Sequence, residues 1–204
     1  MHLVISTNYT YDSKTGKWTI HHRNEINYDK NGKMTLYNAS FLDTVSNTWV
    51  FRSSSFKYER KYDDKGNILL YSYYTWDSAL NQWKGQGDLV ESGYDANGNK
   101  TLAINKKWDA SLNQWVNSSK TENRYNEQGK VTGIDEFEWD NKANVWKIIS
   151  RNELFYDAHG NLSKDQILAL DTISNELTSQ TKDEYTYDAN DHEILKEHYK
   201  RNNN

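Results

Sequence analysis

The 204-residue chain contains no cysteine and no proline. Without cysteine there is no disulfide framework and no thiolate-based metal or redox chemistry. Proline is enriched in disordered segments, so its absence argues against disorder. Aliphatic residues are scarce: Leu, Ile, Val and Phe number 38, just under a fifth of the chain, a level at which disorder is usually suspected. No run approaches the roughly 20 apolar residues of a membrane-spanning helix, so membrane insertion is not expected. Lys and Arg number 25 against 29 Asp and Glu, a net charge of −4. That balance lacks the basic footprint of a nucleic-acid binder. Met1 is followed by an alternating polar pattern, not by the basic and apolar regions of a signal peptide. What the chain has in quantity is aromatic: 8 Trp and 15 Tyr. Disordered chains are poor in aromatics, so the composition fits neither a random tail nor a globule with a thick aliphatic core.

Self-similarity organises the sequence. One motif, aromatic-Asp-x-x-Gly-Asn/Lys, begins at Tyr28, Tyr62, Tyr94, Tyr125, Tyr156 and, in degenerate form, Tyr187. A second motif alternates with it: aromatic/Leu-Asp-x-x-x-Asn/Gly-x-Trp. Its copies run Tyr11 to Trp18, Leu42 to Trp49, Trp76 to Trp83, Trp108 to Trp115, Trp139 to Trp146 and Leu170 to Leu177. Every Trp of the protein falls in this second motif. The unit settles at 31 residues.

Both motifs read as hairpin turns. In Tyr94-Asp95-Ala96-Asn97-Gly98-Asn99 a type I turn followed by left-handed Gly closes a three-residue loop. Asp191 can replace Gly there. In the second motif Asn113, Asn144 or Gly16 supplies the positive φ, and the leading Asp caps its own loop. The segments between turns give about 13 strands of nine to eleven residues, and no segment has helical periodicity. The fold expected is all-β: an antiparallel up-and-down meander of repeating β-hairpins, in an open, curved, nearly single-layer sheet. A spiral or incomplete barrel is the alternative. One domain is expected over residues 1–200, with units at about 11–41, 42–75, 76–107, 108–138, 139–169 and 170–199, and a frayed tail at 201–204. Two return legs are longer than the rest, which predicts bulges within 49–62 and 83–94, with Gly85, Gly87 and Gly93 as sites.

Counting by twos from either turn places Trp115, Asn117, Ser119, Thr121, Asn123 and Tyr125 on one face. That face should carry Trp at one rim and Tyr at the other. Between them would run small polar residues: Ser72, Ser119, Thr121, Asp135, Asn152 and Thr181. The other face should be charged, with Lys120 opposite Glu136, Glu138 opposite Lys147, Asp165 opposite Lys182, and a like-charge mismatch of Glu153 with Asp165.

The Tyr-Asp-x-x-Gly-Asn turns, with Tyr185-Thr186-Tyr187-Asp188, resemble the YD repeats of Rhs and teneurin-type shells. The alternation with turns such as Trp76-Asp77-Ser78-Ala79-Leu80-Asn81-Gln82-Trp83 is more similar to secreted or surface repeat proteins of Bacteroidota. The resemblance covers nearly the whole chain. It implies an antiparallel β array at an extracellular or cell-surface location, and it brings no catalytic residues.

Candidate chemistry is weighed against simpler readings. The aromatic rows can stack on sugars beside a hydrogen-bonding strip, or they can serve as the main apolar packing. Trp76, Trp83, Trp108 and Trp115, with Ser119 and Thr121, are the ligand candidates. Asp95, Asn97 and Asn99 resemble the start of a calcium loop, but Lys106 stands where an EF-hand needs Glu, so turn chemistry is the reading. His21 and His22, with Glu25 nearby, are expected to point to opposite faces and not to chelate together. Glu136 and Glu138 share a face at glycosidase-like spacing, with salt bridging to lysine the simpler reading. No catalytic residue, metal site or cofactor is expected. The function expected is a non-catalytic surface module for binding or adhesion, taking a glycan or a cell-surface protein. A structural spacer or shell segment is the alternative and a glycosidase a remote one. Leu3–Tyr11 lacks the charges of a guarded edge and is expected to pair with another strand or a second copy.

Overall fold

The computed structural model describes residues His2–Arg201, which are all-β with no helix. The strands are β1 (His2–Asp12), β2 (Lys17–Tyr28), β3 (Met34–Asp43), β4 (Thr48–Val50), β5 (Phe56–Tyr62), β6 (Ile68–Asp77), β7 (Gln82–Gly85) and β8 (Asp88–Tyr94). They continue as β9 (Lys100–Asp109), β10 (Gln114–Tyr125), β11 (Val131–Asp140), β12 (Val145–Tyr156), β13 (Leu162–Asp171), β14 (Glu176–Tyr187) and β15 (Glu193–Lys200). They form one antiparallel meander. The pairing path runs β1-β2-β3-β5-β6-β8-β9-β10-β11-β12-β13-β14-β15, with β4 on β3 and β7 on β6. The path begins at β1 and ends at β15 without returning to β1. Of the expected tail, Arg201 donates its N–H to Gln180 O at 2.9 Å, and Asn202–Asn204 lie outside the described residues.

The turns match the motifs. In the first type the Asp N–H donates across the loop, as in Asp95 to Asn99 O (2.9 Å), and the Gly98 N–H returns to Asp95 O (3.1 Å). Asp95 Oδ1 also accepts the N–H groups of Asn97 and Asn99. Gly98 has φ of 88°, and Asp191 holds the same position at 64°. In the second type Asn113 and Asn144 take φ of 53° and 57°, and Gly16 takes 67°. The Asn144 N–H reaches back to Asp140 O, at 2.8 Å.

The thirteen-strand path carries fifteen strands because both long return legs break. Between β4 and β5 the chain leaves the sheet at Phe51–Ser55. Ser55 closes this excursion, its N–H donating to Arg52 O and its carbonyl accepting the Trp76 N–H. Between β7 and β8 the break falls at Gln86-Gly87, where Gly87 has φ of 66°. Gly93 lies inside β8 and not at the break.

Register departs from the count by twos, because nearly every hairpin holds a bulge. In β12, Trp146 faces Trp139 and Ile148 faces Phe137; Ile149 is skipped, and Ser150 faces Glu136. In β11 the skipped residue is Thr132, so Tyr125 faces Val131 but Arg124 faces Gly133. One bulge in a strand reverses which face the later residues take. The Trp and Tyr at the two ends of β12 therefore lie on opposite faces, and the expectation that they share one is corrected. Lys120 lies opposite Phe137, not Glu136, and Asp165 lies opposite Asp183, not Lys182. Glu153 faces Gln166 and not Asp165. Glu138 does face Lys147.

The chain divides into two compact units. One comprises the residues up to Ser92 together with Asn105–Asn117; the other comprises Gly93–Ile104 and the residues from Ser118 on. Ala39 and Leu89 are buried apolar residues of the first unit. Little of the structure is buried aliphatic core, in keeping with the composition.

Candidate functional site

In the first unit the second-motif register puts Trp76 opposite Trp83. Their rings meet edge to face at 5.2 Å. Phe51, delivered by the excursion after β4, contacts Trp76 at 5.1 Å and Trp83 at 4.7 Å. Trp108 and Trp115 form a second edge-to-face pair at 5.3 Å. The Trp115 indole N–H donates to the Tyr74 hydroxyl at 3.1 Å. Both indoles close over buried Gly85, where a Cβ would come within 2.5 Å of Trp108 Cε3 and Trp115 Cζ2. All four indoles are half-buried.

On the Trp face of each unit, taken separately, ion pairs recur. Arg23 pairs with Glu25 at 2.5 Å, Lys57 with Glu59 at 2.8 Å, Lys120 with Glu122 at 2.6 Å and Lys182 with Glu184 at 2.9 Å. Each pair is two residues apart on one strand, so both side chains share a face. The cation also lies over an aromatic ring. Arg23 is 4.6 Å from the Trp49 centroid, Lys57 is 4.2 Å from Tyr74 and 5.4 Å from Trp83, and Lys120 is 3.9 Å from Phe137 and 5.7 Å from Trp146. Such contacts add about 0.5–1 kcal/mol at exposed sites.

A signal for these pairs is present in the sequence, although the motif count did not include it. Glu25, Glu59, Glu91, Glu122, Glu153 and Glu184 each stand three residues before a first-motif Tyr. Two residues earlier stand Arg23, Lys57, Leu89, Lys120, Arg151 and Lys182. The exceptions are instructive. Leu89 is buried, and Glu91 takes its cation from Lys106 at 2.8 Å. Arg151 turns to Asp135.

Asp135 is the focus of the second unit. It is 5% exposed and accepts from Arg124 Nη1 (2.6 Å), Arg151 Nε (2.7 Å) and Arg151 Nη2 (2.9 Å). Burial opposes its ionisation, but the hydrogen bonds from Arg151 and Arg124 hold its carboxyl below the usual range. A Cβ at Gly133 would overlap the Arg124 guanidinium, so this glycine makes room for the arginine. Beside the cluster, Arg124, Asn126, Thr132, Glu153, Leu154, Phe155 and Tyr156 line a shallow depression of about 380 Å³.

The candidate residues separate. Trp76, Trp83, Trp108 and Trp115 gather in the first unit. Ser119 and Thr121 belong to the second, opposite Glu138 and Glu136, on the face turned away from Lys120 and its Trp146 contact. The same bulges carry Asn152 and Thr181 to that face, while Asp135 stays on the Trp face and Ser72, paired with Glu59, does so in the first unit. Glu136 accepts from Ser150 Oγ at 2.7 Å. Lys147 pairs with Asp140 at 2.5 Å. The Asp95 oxygens hold the turn and the Asn99 side chain, whose amide keeps the carboxyl below its ordinary pKa. His21 is the skipped residue of a bulge, with Tyr9 facing Ile20 and Asn8 facing His22. The expectation of opposite faces fails there for that reason: His21 Nδ1 and His22 Nδ1 are 2.8 Å apart. No group of three or more metal-binding side chains occurs among the described residues.

Neither a protein-family model nor a curated protein matches the chain. Similar solved structures include a protein of unknown function from Bacteroides fragilis, 15% identical, with TM-score 0.47 over 62% of this chain and 89% of that one. Another is a DUF3836 family protein from Bacteroides vulgatus, 16% identical, with TM-score 0.37 over 46% of this chain and 90% of that one. A third is the TcdB2-TccC3-Cdc42 structure, 11% identical, with TM-score 0.31 over 96% of this chain and 14% of that one. At these levels a functional reading rests on the site itself.

Proposed function

We propose that this chain is a non-catalytic repeat module that presents a surface for binding or adhesion, that its ligand class is carbohydrate, and that it works outside the cell or at a bacterial cell surface. One observation carries the reading. Within each unit, half-buried indoles and Lys–Glu pairs share a face. An indole offers a flat apolar surface to a sugar's C–H face. Adjacent carboxylates and cations offer acceptors and donors to its hydroxyls. The turn motifs further support placing the chain among YD-repeat-like surface proteins.

Within the first unit, the Trp76–Trp83 pair is the better platform. Trp108 and Trp115 are pressed onto Gly85, which favours the alternative of a structural spacer for that pair. Glycan-array binding of wild type, Trp83→Ala and Trp108→Ala tests both readings. Trp83→Ala should weaken a retained glycan about tenfold, roughly 1.4 kcal/mol, with the fold intact. Trp108→Ala should lower thermal stability first. A wild-type protein that retains no glycan at millimolar concentration leaves the spacer reading. Hydrolysis of a retained glycan that is lost in Glu136→Gln replaces it with a glycosidase.

A further inference from the structure

Strand β1 opens the pairing path, and among the described residues only β2 pairs with it. Its outer N–H and C=O groups are a template for another strand. From His2 through Tyr11 there is no Lys, Arg, Asp or Glu. The opposite end of the path, β15, carries Glu193, Lys196, Glu197 and Lys200. Charged side chains guard an edge against pairing, because approach would desolvate them.

The odd residues of β1 share a face and are apolar but for Thr7. Leu3, Ile5, Tyr9 and Tyr11 are 53%, 52%, 55% and 51% exposed. Beside them on β2, Trp18 lies opposite Tyr11 and Ile20 opposite Tyr9, and both are also exposed. Contiguous apolar exposure of this kind marks an interaction surface.

We propose that β1 pairs with β1 of a second copy, antiparallel about a two-fold axis at Thr7. In that register paired residue numbers sum to 14, and the strand matches itself end to end. Leu3 meets Tyr11 of the second copy, Ile5 meets Tyr9, Val4 meets Thr10, Ser6 meets Asn8, and His2 meets Asp12. Aromatic residues thus oppose aliphatic ones, which are favourable cross-strand pairs. The ends place the imidazole against a carboxylate. No like charges meet, and an even sum keeps the apolar stripe on one continuous face. Sums of 12 or 16 leave Tyr11 or Leu3 beyond the matched span. A two-fold contact is closed, so it yields a dimer and not a fibre. The interface does not depend on the glycan reading, because Trp76, Trp83, Trp108 and Trp115 take no part in it.

The cysteine-free chain makes the test clean. Wild type should sediment with the mass of a dimer at micromolar concentration. Ile5→Lys should sediment as a folded monomer, with unchanged far-ultraviolet circular dichroism. Thr7→Cys should cross-link to covalent dimer under oxidation or with a short bis-maleimide, and Leu195→Cys on β15 should not. A wild-type monomer across the concentration range overturns the proposal. So does equal cross-linking of Leu195→Cys, or a mixed product of Thr7→Cys with Leu195→Cys, which would mean head-to-tail association. Survival of the dimer in Trp83→Ala, whatever its glycan binding, separates this result from the glycan reading.

Discussion

The two units solve the same problem with different chemistry. Each must stabilise antiparallel hairpins that have almost no aliphatic core. The first unit uses rings: Phe51, Trp76 and Trp83 form one cluster, and Tyr74, Trp108 and Trp115 another. On the face opposite the indoles, Tyr37, Phe56, Tyr58, Tyr71 and Tyr73 make a ladder across β3, β5 and β6, with Tyr58 and Tyr73 stacked at 4.8 Å. Arg60 lies over Tyr58 and Tyr71. The second unit has the Trp139–Trp146 pair as its indole cluster and relies more on charge, with Asp135 held by two arginines and Lys120 and Lys182 paired along their strands. The irregular unit is the aromatic one. Its long return legs are what bring Phe51 and Gly85 to the indoles. The 31-residue unit repeats without interruption where ion pairs carry more of the load. Ring packing tolerates, and here uses, breaks in a strand. Ion pairs two residues apart need only their own short stretch of strand, and they occur in both units.

The largest effect should come from overfilling the aromatic unit. Gly85→Ala adds a methyl where two rigid indoles already meet the backbone. Overpacking of this kind costs about 1–3 kcal/mol, and the top of that range is expected because neither indole can shift without leaving its partner. Hydrogen exchange should show protection falling in β6 and β7 while β11 and β12 keep theirs. Equal loss in both units would mean that the two do not differ in local stability as their packing implies.

The next effect should come from the charged unit. Asp135→Asn leaves Arg124 and Arg151 facing a neutral amide. Breaking a buried pair can cost about 3–5 kcal/mol; here both guanidinium groups are partly exposed, and about 1–2 kcal/mol is expected. Asp135 is itself buried, so salt should screen little of this loss. Urea unfolding at low and high salt reads it directly. A difference from wild type that vanishes at about 1 M salt would show that the cluster acts as a surface pair.

The turns were legible in the sequence because each depends on a few residues at fixed offsets. The positive φ of Asn113, Asn144, Gly16 and Asp191, and the breaks near Gly85 and Gly87, arise from local chemistry. The faces were not legible, because a bulge leaves no residue-type signature. His21, Thr132 and Ile149 look like any other strand residues, yet each reverses the parity of the residues after it. Distances between motifs could not reveal them, since the number of residues from Trp146 to Tyr156 is the same whether or not Ile149 is skipped. That is why Ser119 and Thr121 were grouped with the indoles and Lys120 was not. The Glu three residues before each Tyr was visible, and reading it as one more repeat would have placed the ion pairs.

The smallest effect tests the charged unit at one of its like-charge pairs. Asp165 faces Asp183 directly. Burial, and then the Asp183 charge, push the Asp165 carboxyl above its ordinary pKa. Asp183 is held below its own ordinary value by hydrogen bonds from His198 and then Lys196, at 2.5 and 3.1 Å. A raised carboxylate pKa means that the folded chain holds this proton more tightly than the unfolded chain does. Ionised Asp165 therefore costs stability at neutral pH, and the cost fades as pH falls through the raised pKa toward the unfolded value. Asp165→Asn should accordingly stabilise the protein at pH 7 by about 0.2–1 kcal/mol, and its advantage should shrink as pH is lowered toward about 4. Asp183→Asn should do the reverse, because it discards the partner of His198 and Lys196 on the last strand. Thermal unfolding of the two variants across about pH 4–8 reads both signs. If Asp165→Asn destabilises at neutral pH, these two carboxylates are not in repulsion, and this pairing holds no charge mismatch to relieve.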